Sequence, residues 1–472
     1  MNTVELVKNR IKNAHCAVLG FGVSNIPLVE ILLECGNEIT IHDEKRIEEL
    51  HPLAKKLKDS GVKFVTGKSY LDSIDADIIF RTPGIRPDHD GIIKAIQNGA
   101  ELTSEMELFL ELTPARIFAI TGSDGKTTTT TITYKLLEME LQNSNRNVYV
   151  GGNIGIPLLA KVGEMTEDDI CVIELSSFQL FTMKSSPQRA IITNLSPNHL
   201  DWHKGMDEYI DAKTNIYRYG AEHITFNAKN GLSENLIDGC PIPMNTFSAH
   251  ITRNEMDDAF RGSKTPDKAF FVDEGYICRY DGKIVKKVLN TDLILLPGIH
   301  NIENYMAAIS ITDGLVGNST IETIAKTFRG VEHRLEVVCE HNGVVYYNSS
   351  IDSTPSRTAA ALSALDCKPI VICGGYDKKV PFEPLAHALR DHAKEVILTG
   401  ATADIIFEAI KKENVKIDTY IEKDFDKAVL LSTQIAKVGD TVLLSPACAS
   451  FDAFKNFMER GDRFKTILNE LK

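Results

Sequence analysis

The chain has 472 residues, 43% of them hydrophobic and 25% charged, with a formal net charge of −13 and a pI near 5.5. At about 150 residues per domain, this length predicts roughly three domains, and the apolar content is enough for cores that need no staples. The acidic balance argues against a nucleic-acid binder, which carries a basic face, but leaves room for a loop that binds an anionic nucleotide locally.

In chain order, the amphipathic start MNTVELVKNRIKN carries no apolar signal-peptide core, and no later apolar run reaches membrane-spanning length; neither a signal peptide nor a membrane span is expected. HCAVLGFGVS reads as a strand that breaks at glycines, NIPLVEILLECG as a helix, and EITIHD as a strand ending in Asp43. ADIIFRTPGI repeats the strand-to-turn pattern. From about Ser104 a second block contains RIFAITG, DICVIELSSF and RAIITNLSPNHLD; residues 240–292 read as β-rich with little motif content. From about Gly330 a third block contains VVYYNSS, KPIVICGGYD, EVILTG and TVLLSPA. Strands alternating with helices predict an α/β protein with mainly parallel sheets, whose ligands sit at the carboxyl ends of strands. Nine cysteines from Cys16 to Cys448, odd in number and without a CxxC pair, fit the reduced thiols of a cytoplasmic protein.

The second block opens on a phosphate-loop pattern. RIFAI is a buried strand, TGSDGKT a turn, and TTTITYKLLEME a helix. Gly122 and Gly125 let backbone N–H groups converge on one anion at a helix N-terminus. Lys126 reaches β- and γ-phosphate oxygens, and the Thr127 hydroxyl binds Mg²⁺. The spacing is GxxGKT, two residues shorter than GxxxxGK[ST], with Ile120 at the place of the first glycine. The threonine run at 127–131 is poor helix sequence and reads as a tolerated local cost.

Glu174 ends the strand DICVI, and His199 and Asp201 follow RAIIT. A carboxylate and an imidazole on successive strand ends after a phosphate loop suit a divalent cation. By chemistry alone, Lys213 in YIDAKTNIY reads as a solvated helical lysine, and Phe451 and Phe457 as core.

Taken together, TGSDGKT, GGNIG (151–155), ELSSFQL (174–180), the NHLD of NLSPNHLDWH, AKTNIY (212–217), PGIHNIEN (297–304), HRLE (333–336) and SPACASFDAFKNFMERG (445–461) resemble the Mur ligases of bacterial cell-wall synthesis, within them the branch that adds D-glutamate. The motifs run through all three blocks. The resemblance implies three domains: a Rossmann-like UDP-sugar domain (1–104), a central P-loop ATPase-type α/β domain (105–330) and a Rossmann-like amino-acid domain (331–472). It implies a cytoplasmic enzyme that activates the carboxylate of UDP-N-acetylmuramoyl-L-alanine with ATP and joins it to D-glutamate, with two Mg²⁺ ions, and a monomer is the expectation. ATP is implied at Gly122, Ser123, Asp124, Gly125, Lys126, Thr127 and Thr128, with Asn301 and Asn304 on the adenine side and Arg334 on phosphate. Thr127, Glu174 and His199 are implied to hold metal, and Asn153 to lie by the reacting phosphate. Lys213 matches a lysine carbamylated by CO₂. The UDP group is implied near Val23, Ser24, Asp43, Thr82, Pro83, Gly84 and Ile85, and D-glutamate near Lys378, Ser450, Phe451 and Phe457.

Two stretches depart from the family. An Asp-Ser-Lys-x-Thr run is replaced by NSSIDSTP, with Ser349 for the aspartate, Ile351 for the lysine and Ser353 for the threonine; Tyr376 stands where aspartate is common. GFGVSN has Asn25 in place of the third glycine of GxGxxG, yet Asp43 lies about 20 residues on, as a dinucleotide site requires. Three alternatives stay open: another ATP-dependent carboxylate–amine ligase, a NAD-binding oxidoreductase, and a nucleotide-binding relative without catalysis.

Overall fold

A computed structural model describes residues 2–471 apart from Val23, Asp201, Gly262, Ser263, Asp366, Lys378 and Lys379. Residues 1–328 form one compact unit and residues 329–472 another. The first sheet consists of β1 (Cys16–Leu19), β2 (Ile39–Asp43), β3 (Lys63–Thr66), β4 (Ile78–Arg81) and β5 (Glu101–Thr103). These pair in parallel in the order β3-β2-β1-β4-β5. β1 and β4 are buried throughout, which is why they read as unbroken apolar runs. The chain winds outward from β1 on one side and returns at β4 on the other, so the topological switch lies between them.

The second sheet, in the same unit, comprises β6 (Arg116–Thr121), β7 (Val148–Gly152), β8 (Ile170–Glu174), β9 (Arg189–Ile192), β10 (His223–Asn227), β11 (Met244–Ser248), β12 (Lys268–Asp273), β13 (Tyr276–Tyr280) and β14 (Val285–Asn290). Its order is β14-β13-β12-β11-β10-β9-β6-β8-β7. Only the pairs β12–β13 and β13–β14 are antiparallel. The β-rich segment 240–292 thus extends the sheet at one edge. β6 is flanked by β8 and β9, with Ile120 opposite Glu174 and Thr121 opposite Ile192. One apolar cluster runs from Val18 and Phe80 through Phe109 to Ile117, Ile173 and Phe226, so both sheets share a core.

The threonine run has a packing role beyond a local cost. Thr129, Thr130 and Thr133 of the helix Lys126–Leu141 are fully buried. The Thr129 hydroxyl donates to Asn304 Oδ1 at 3.2 Å, and Asn304 lies on the helix Ile299–Ile311. Short side chains let the two helices approach closely beside the phosphate loop. Among the described residues no helix is long and apolar enough to cross a membrane.

The second unit holds β15 (Glu336–His341), β16 (Val344–Asn348), β17 (Ile370–Gly374), β18 (Glu395–Thr399), β19 (Asp418–Ile421) and β20 (Thr441–Leu444). Their order is β15-β16-β20-β17-β18-β19, parallel except for β15–β16. Arg460, on the helix Phe457–Glu470, is 2% exposed. It donates to the Ser350 hydroxyl and carbonyl at 3.0 and 2.9 Å and to the Cys448 and Ala449 carbonyls at 3.1 Å each. One guanidinium thereby ties together the loops after β16 and β20. Arg460→Met orphans those acceptors and is expected to lower unfolding free energy by about 2–4 kcal/mol, read from a guanidinium melt.

Candidate active site

The loop between β6 and the helix Lys126–Leu141 is clasped on both sides. Gly125 caps the helix at φ 75°, and a Cβ there would stand 2.4 Å from Asn304 Oδ1. At Gly122 (φ 147°) a Cβ would stand 1.9 Å from Thr193 Oγ1. Both glycines therefore answer a backbone need and a close approach. The loop after β9 closes over the turn: Thr193 Oγ1 donates to the Asp124 carbonyl at 2.6 Å, Asp124 N to Asn194 Oδ1 at 2.9 Å, and Ser123 Oγ to the Ser196 carbonyl at 2.9 Å. Lys126 Nζ reaches the Gly122 and Ser123 carbonyls at 3.0 and 2.8 Å. Thr127 and Thr128 follow on the first helical turn, both half-buried. Asn304 stands against the loop at Gly125, and its Nδ2 donates to Asn301 Oδ1 at 3.1 Å.

Lys213 is a correction to the solvated-face reading. The helix Met206–Arg218 turns it inward, 1% exposed. Its Nζ donates to the Gly122 carbonyl at 2.8 Å and to Thr121 Oγ1 at 3.2 Å. It also lies 4.8 Å from the Tyr209 ring centroid, and the Tyr209 hydroxyl meets Ser123 Oγ at 2.7 Å. Burial, and then repulsion from Lys126, hold the Lys213 amine well below the ordinary lysine range, opposed by Glu174 and Asp124.

Glu174 is 1% exposed at the end of β8. Its Oε1 accepts from Asn153 Nδ2 at 2.7 Å, while its Oε2 is buried without a hydrogen-bond partner. A buried carboxylate oxygen left over beside a phosphate loop fits Mg²⁺, which takes one or two protein carboxylates together with phosphate oxygens and water. Among the described residues no group of three or more His, Cys, Asp or Glu forms a metal cage. His199 lies three residues beyond Ser196, exposed, at φ 55°, its ring 4.8 Å from that of Phe178. Asp201 lies outside the described residues.

At the switch point of the first sheet, Ser24, Thr82 and Pro83 line a cavity of about 290 Å³ that continues to Gly152 and Asn153. Three of the expected UDP-sugar residues and the expected reacting-phosphate residue thus line one space. Gly84 and Ile85 face a neighbouring cavity of about 410 Å³ with Tyr70 and Arg86. Asp43 stands apart from both: its oxygens accept from Phe21 N and Lys45 N at 2.8 and 2.9 Å. Val23 lies outside the described residues.

In the second unit, Arg334 N donates to the Val331 carbonyl at 3.1 Å. Ser450 is buried beneath the turn after β20, and Phe451 is 64% exposed with its ring 6.0 Å from that of Tyr376. Core packing is therefore the wrong reading of Phe451. Phe457 is half-buried, its ring 5.9 Å from that of His333. In the altered run, Asp352 is buried and accepts from Ser445 Oγ at 2.8 Å; burial raises its pKa. Lys378 lies outside the described residues.

The Mur ligase middle domain matches residues 120–312, and the Mur ligase glutamate ligase domain matches residues 333–448. A UDP-N-acetylmuramoylalanine–D-glutamate ligase of Ruminiclostridium cellulolyticum is 44% identical over 100% of both chains. The chain belongs to the Mur ligase family. A Clostridium novyi ligase of the same name is 42% identical over 98% of each chain. The solved UDP-N-acetylmuramate–alanine ligase of Thermotoga maritima shares the fold, with a TM-score of 0.50 and 18% identity over 97% of this chain and 100% of that one. Membership in the Mur ligases, which are ATP-dependent amide-forming enzymes, sets aside the nicotinamide reading of GFG and Asp43.

Several residues of this Mur ligase escaped sequence reasoning. Arg81, 1% exposed, donates to the Thr82, Pro83 and Ile85 carbonyls of the TPGI turn at 3.3, 2.9 and 2.7 Å, and to the Phe178 carbonyl at 2.9 Å. A charge closing an apolar strand was its only signal. Gln179 and Glu105 line the first cavity, and burial pushes the Glu105 carboxyl up to about 7 from 4.5. Because its folded pKa is raised, Glu105 stabilises the fold fully below its unfolded pKa and loses that contribution as pH rises through about 7. Glu105→Gln, which keeps the neutral form, is expected to gain on the wild type between about pH 5 and about pH 8, by at most ~3 kcal/mol, read from thermal midpoints.

Proposed function

We propose that this ligase joins D-glutamate to UDP-N-acetylmuramoyl-L-alanine in an ATP-driven step of peptidoglycan precursor synthesis. The observation that carries the reading is the buried, unpartnered Glu174 oxygen beside the clasped phosphate loop; its other oxygen accepts from Asn153, which lines the cavity that begins at the first sheet's switch point. The names of the full-length relatives support the two substrates. The reading takes residues 1–104 for the UDP-sugar, 105–330 for ATP and 331–472 for the amino acid.

The chemistry begins with two anions that repel. The L-alanyl carboxylate attacks the γ-phosphorus of ATP; a new O–P bond forms, the β–γ bridge breaks, and ADP leaves with the electron pair. The amine of D-glutamate then attacks the acyl carbon and loses a proton, and the tetrahedral intermediate expels inorganic phosphate. Loop amides and Lys126 neutralise phosphate charge, Asn301 and Asn304 seat the adenine side, Arg334 meets phosphate, and Asn153 orients the oxygen that reacts. Mg²⁺ held by Thr127, Glu174 and His199 would supply further charge neutralisation between nucleophile and phosphate. Val23, Ser24, Asp43 and the 82–85 turn serve the UDP group, while Lys378, Ser450, Phe451 and Phe457 serve D-glutamate. Lys126→Ala is expected to lower product formation by at least about 1000-fold, followed by mass analysis after incubation with both substrates and ATP–Mg²⁺; near-normal turnover counts against the reading.

Lys213 is proposed to be carbamylated. The unprotonated form of the amine, which burial favours, attacks CO₂; the N–C bond forms and a proton leaves to solvent. The product is an anion where a cation would repel Lys126, and it is placed to help order the metal. Enzyme stripped of CO₂ is expected to lose activity and to regain it on addition of bicarbonate; activity indifferent to bicarbonate excludes this role.

A further inference from the structure

The turn after β4 is bolted to the loop that carries His199. Trp202 Nε1 donates to the Gly84 carbonyl at 3.0 Å. Arg86 Nη1 and Nη2 meet Glu208 Oε1 and Oε2 at 3.0 and 3.2 Å, and Nη1 also donates to the Trp202 carbonyl. Its Nε and Nη2 hold Asp88 at 2.9 and 3.0 Å. The guanidinium carbon stands 4.7 Å from the Trp202 ring centroid and 5.5 Å from that of Phe181. With Arg86 and Glu208 side chains only 22% and 23% exposed, this forked, stacked pair holds geometry better than a rim ion pair.

The other end of the same loop is His199. Trp202 N and His203 N both donate to the His199 carbonyl, at 3.1 and 3.0 Å, so Trp202 and His203 are tied to the His199 backbone. The Phe178 ring lies 4.8 Å from that of His199 and 4.7 Å from that of Trp202. The left-handed backbone of His199 (φ 55°) persists only where its surroundings over-determine it. Those surroundings include a fork contributed by the first sheet.

We infer that Arg86 is a positioning residue: by gripping Trp202 and Glu208 it makes the UDP-substrate turn and the His199 turn one rigid element, so that binding at the first sheet sets His199 for the nucleotide and its metal. This rests on the proposed function. The consequence is a coupling: the UDP-linked substrate tightens Mg²⁺-nucleotide binding, and the nucleotide tightens the substrate by the same factor.

The test is calorimetry of a non-hydrolysable ATP analogue with Mg²⁺ on the full chain, with and without UDP-N-acetylmuramoyl-L-alanine and without D-glutamate. Wild type is expected to bind the analogue about fivefold tighter or more when the substrate is present. Arg86→Gln is expected to bring that factor towards one while binding of the analogue alone stays within about twofold, a pattern that a general loss of structure does not give. The chain has one tryptophan, Trp202, so substrate is expected to shift its emission in wild type and not in Arg86→Gln. Trp202→Phe, which removes only the bond to Gly84 and part of the stack, is expected to reduce the coupling at an unchanged melting midpoint, and it decides the matter if Arg86→Gln does not fold. Coupling that is absent in wild type, or equal in wild type and the folded variants, overturns the inference. Wild type that binds neither ligand instead overturns the functional reading, and this inference with it.

Discussion

The proposed reaction sets triphosphate against a second anion, and the larger unit answers that constraint with strand order. β6 runs between β8 and β9, so its phosphate loop emerges between Glu174 on one side and Thr193 and Asn194 on the other. The short GxxGKT turn needs no first glycine, because the β9 loop supplies the missing wall through its bonds to Ser123 and Asp124. Lys126 and Lys213 both reach the Gly122 carbonyl. Burial, and then repulsion from Lys126, disfavours the charged form of Lys213, the more deeply buried of the two.

Arginine holds loops from different strands together at several places. Arg81 satisfies three carbonyls of the TPGI turn and one from the helix Ser177–Leu180. Arg86 grips the loop after β9, and Arg460 joins two strand-end loops in the smaller unit. A planar cation with five donors satisfies carbonyls that no regular ladder reaches, and it fixes their directions as it does so. The shared apolar core beneath the first two sheets gives Arg81 and Arg86 a firm base.

The sequence by itself determined the α/β class, the strand-to-turn punctuation and the phosphate loop. These are local matters: apolar runs, glycines at turns, and a lysine and hydroxyl at a helix start act on residues within a few positions of one another. It also named Glu174 as a strand-end residue, and the motif order pointed to the family, whose resemblance implied Asn153. Only the tertiary structure decided that Lys213 is buried, because helical spacing alone does not say which face meets the phosphate loop. Likewise, Phe451 proved exposed, the threonine run proved to be a helix–helix contact, and Arg81, Arg86 and Glu105 gained their roles from partners on other strands. Burial, orphaned oxygens and shifted pKa values arise from atoms brought together across the fold, and no window of neighbouring residues contains them.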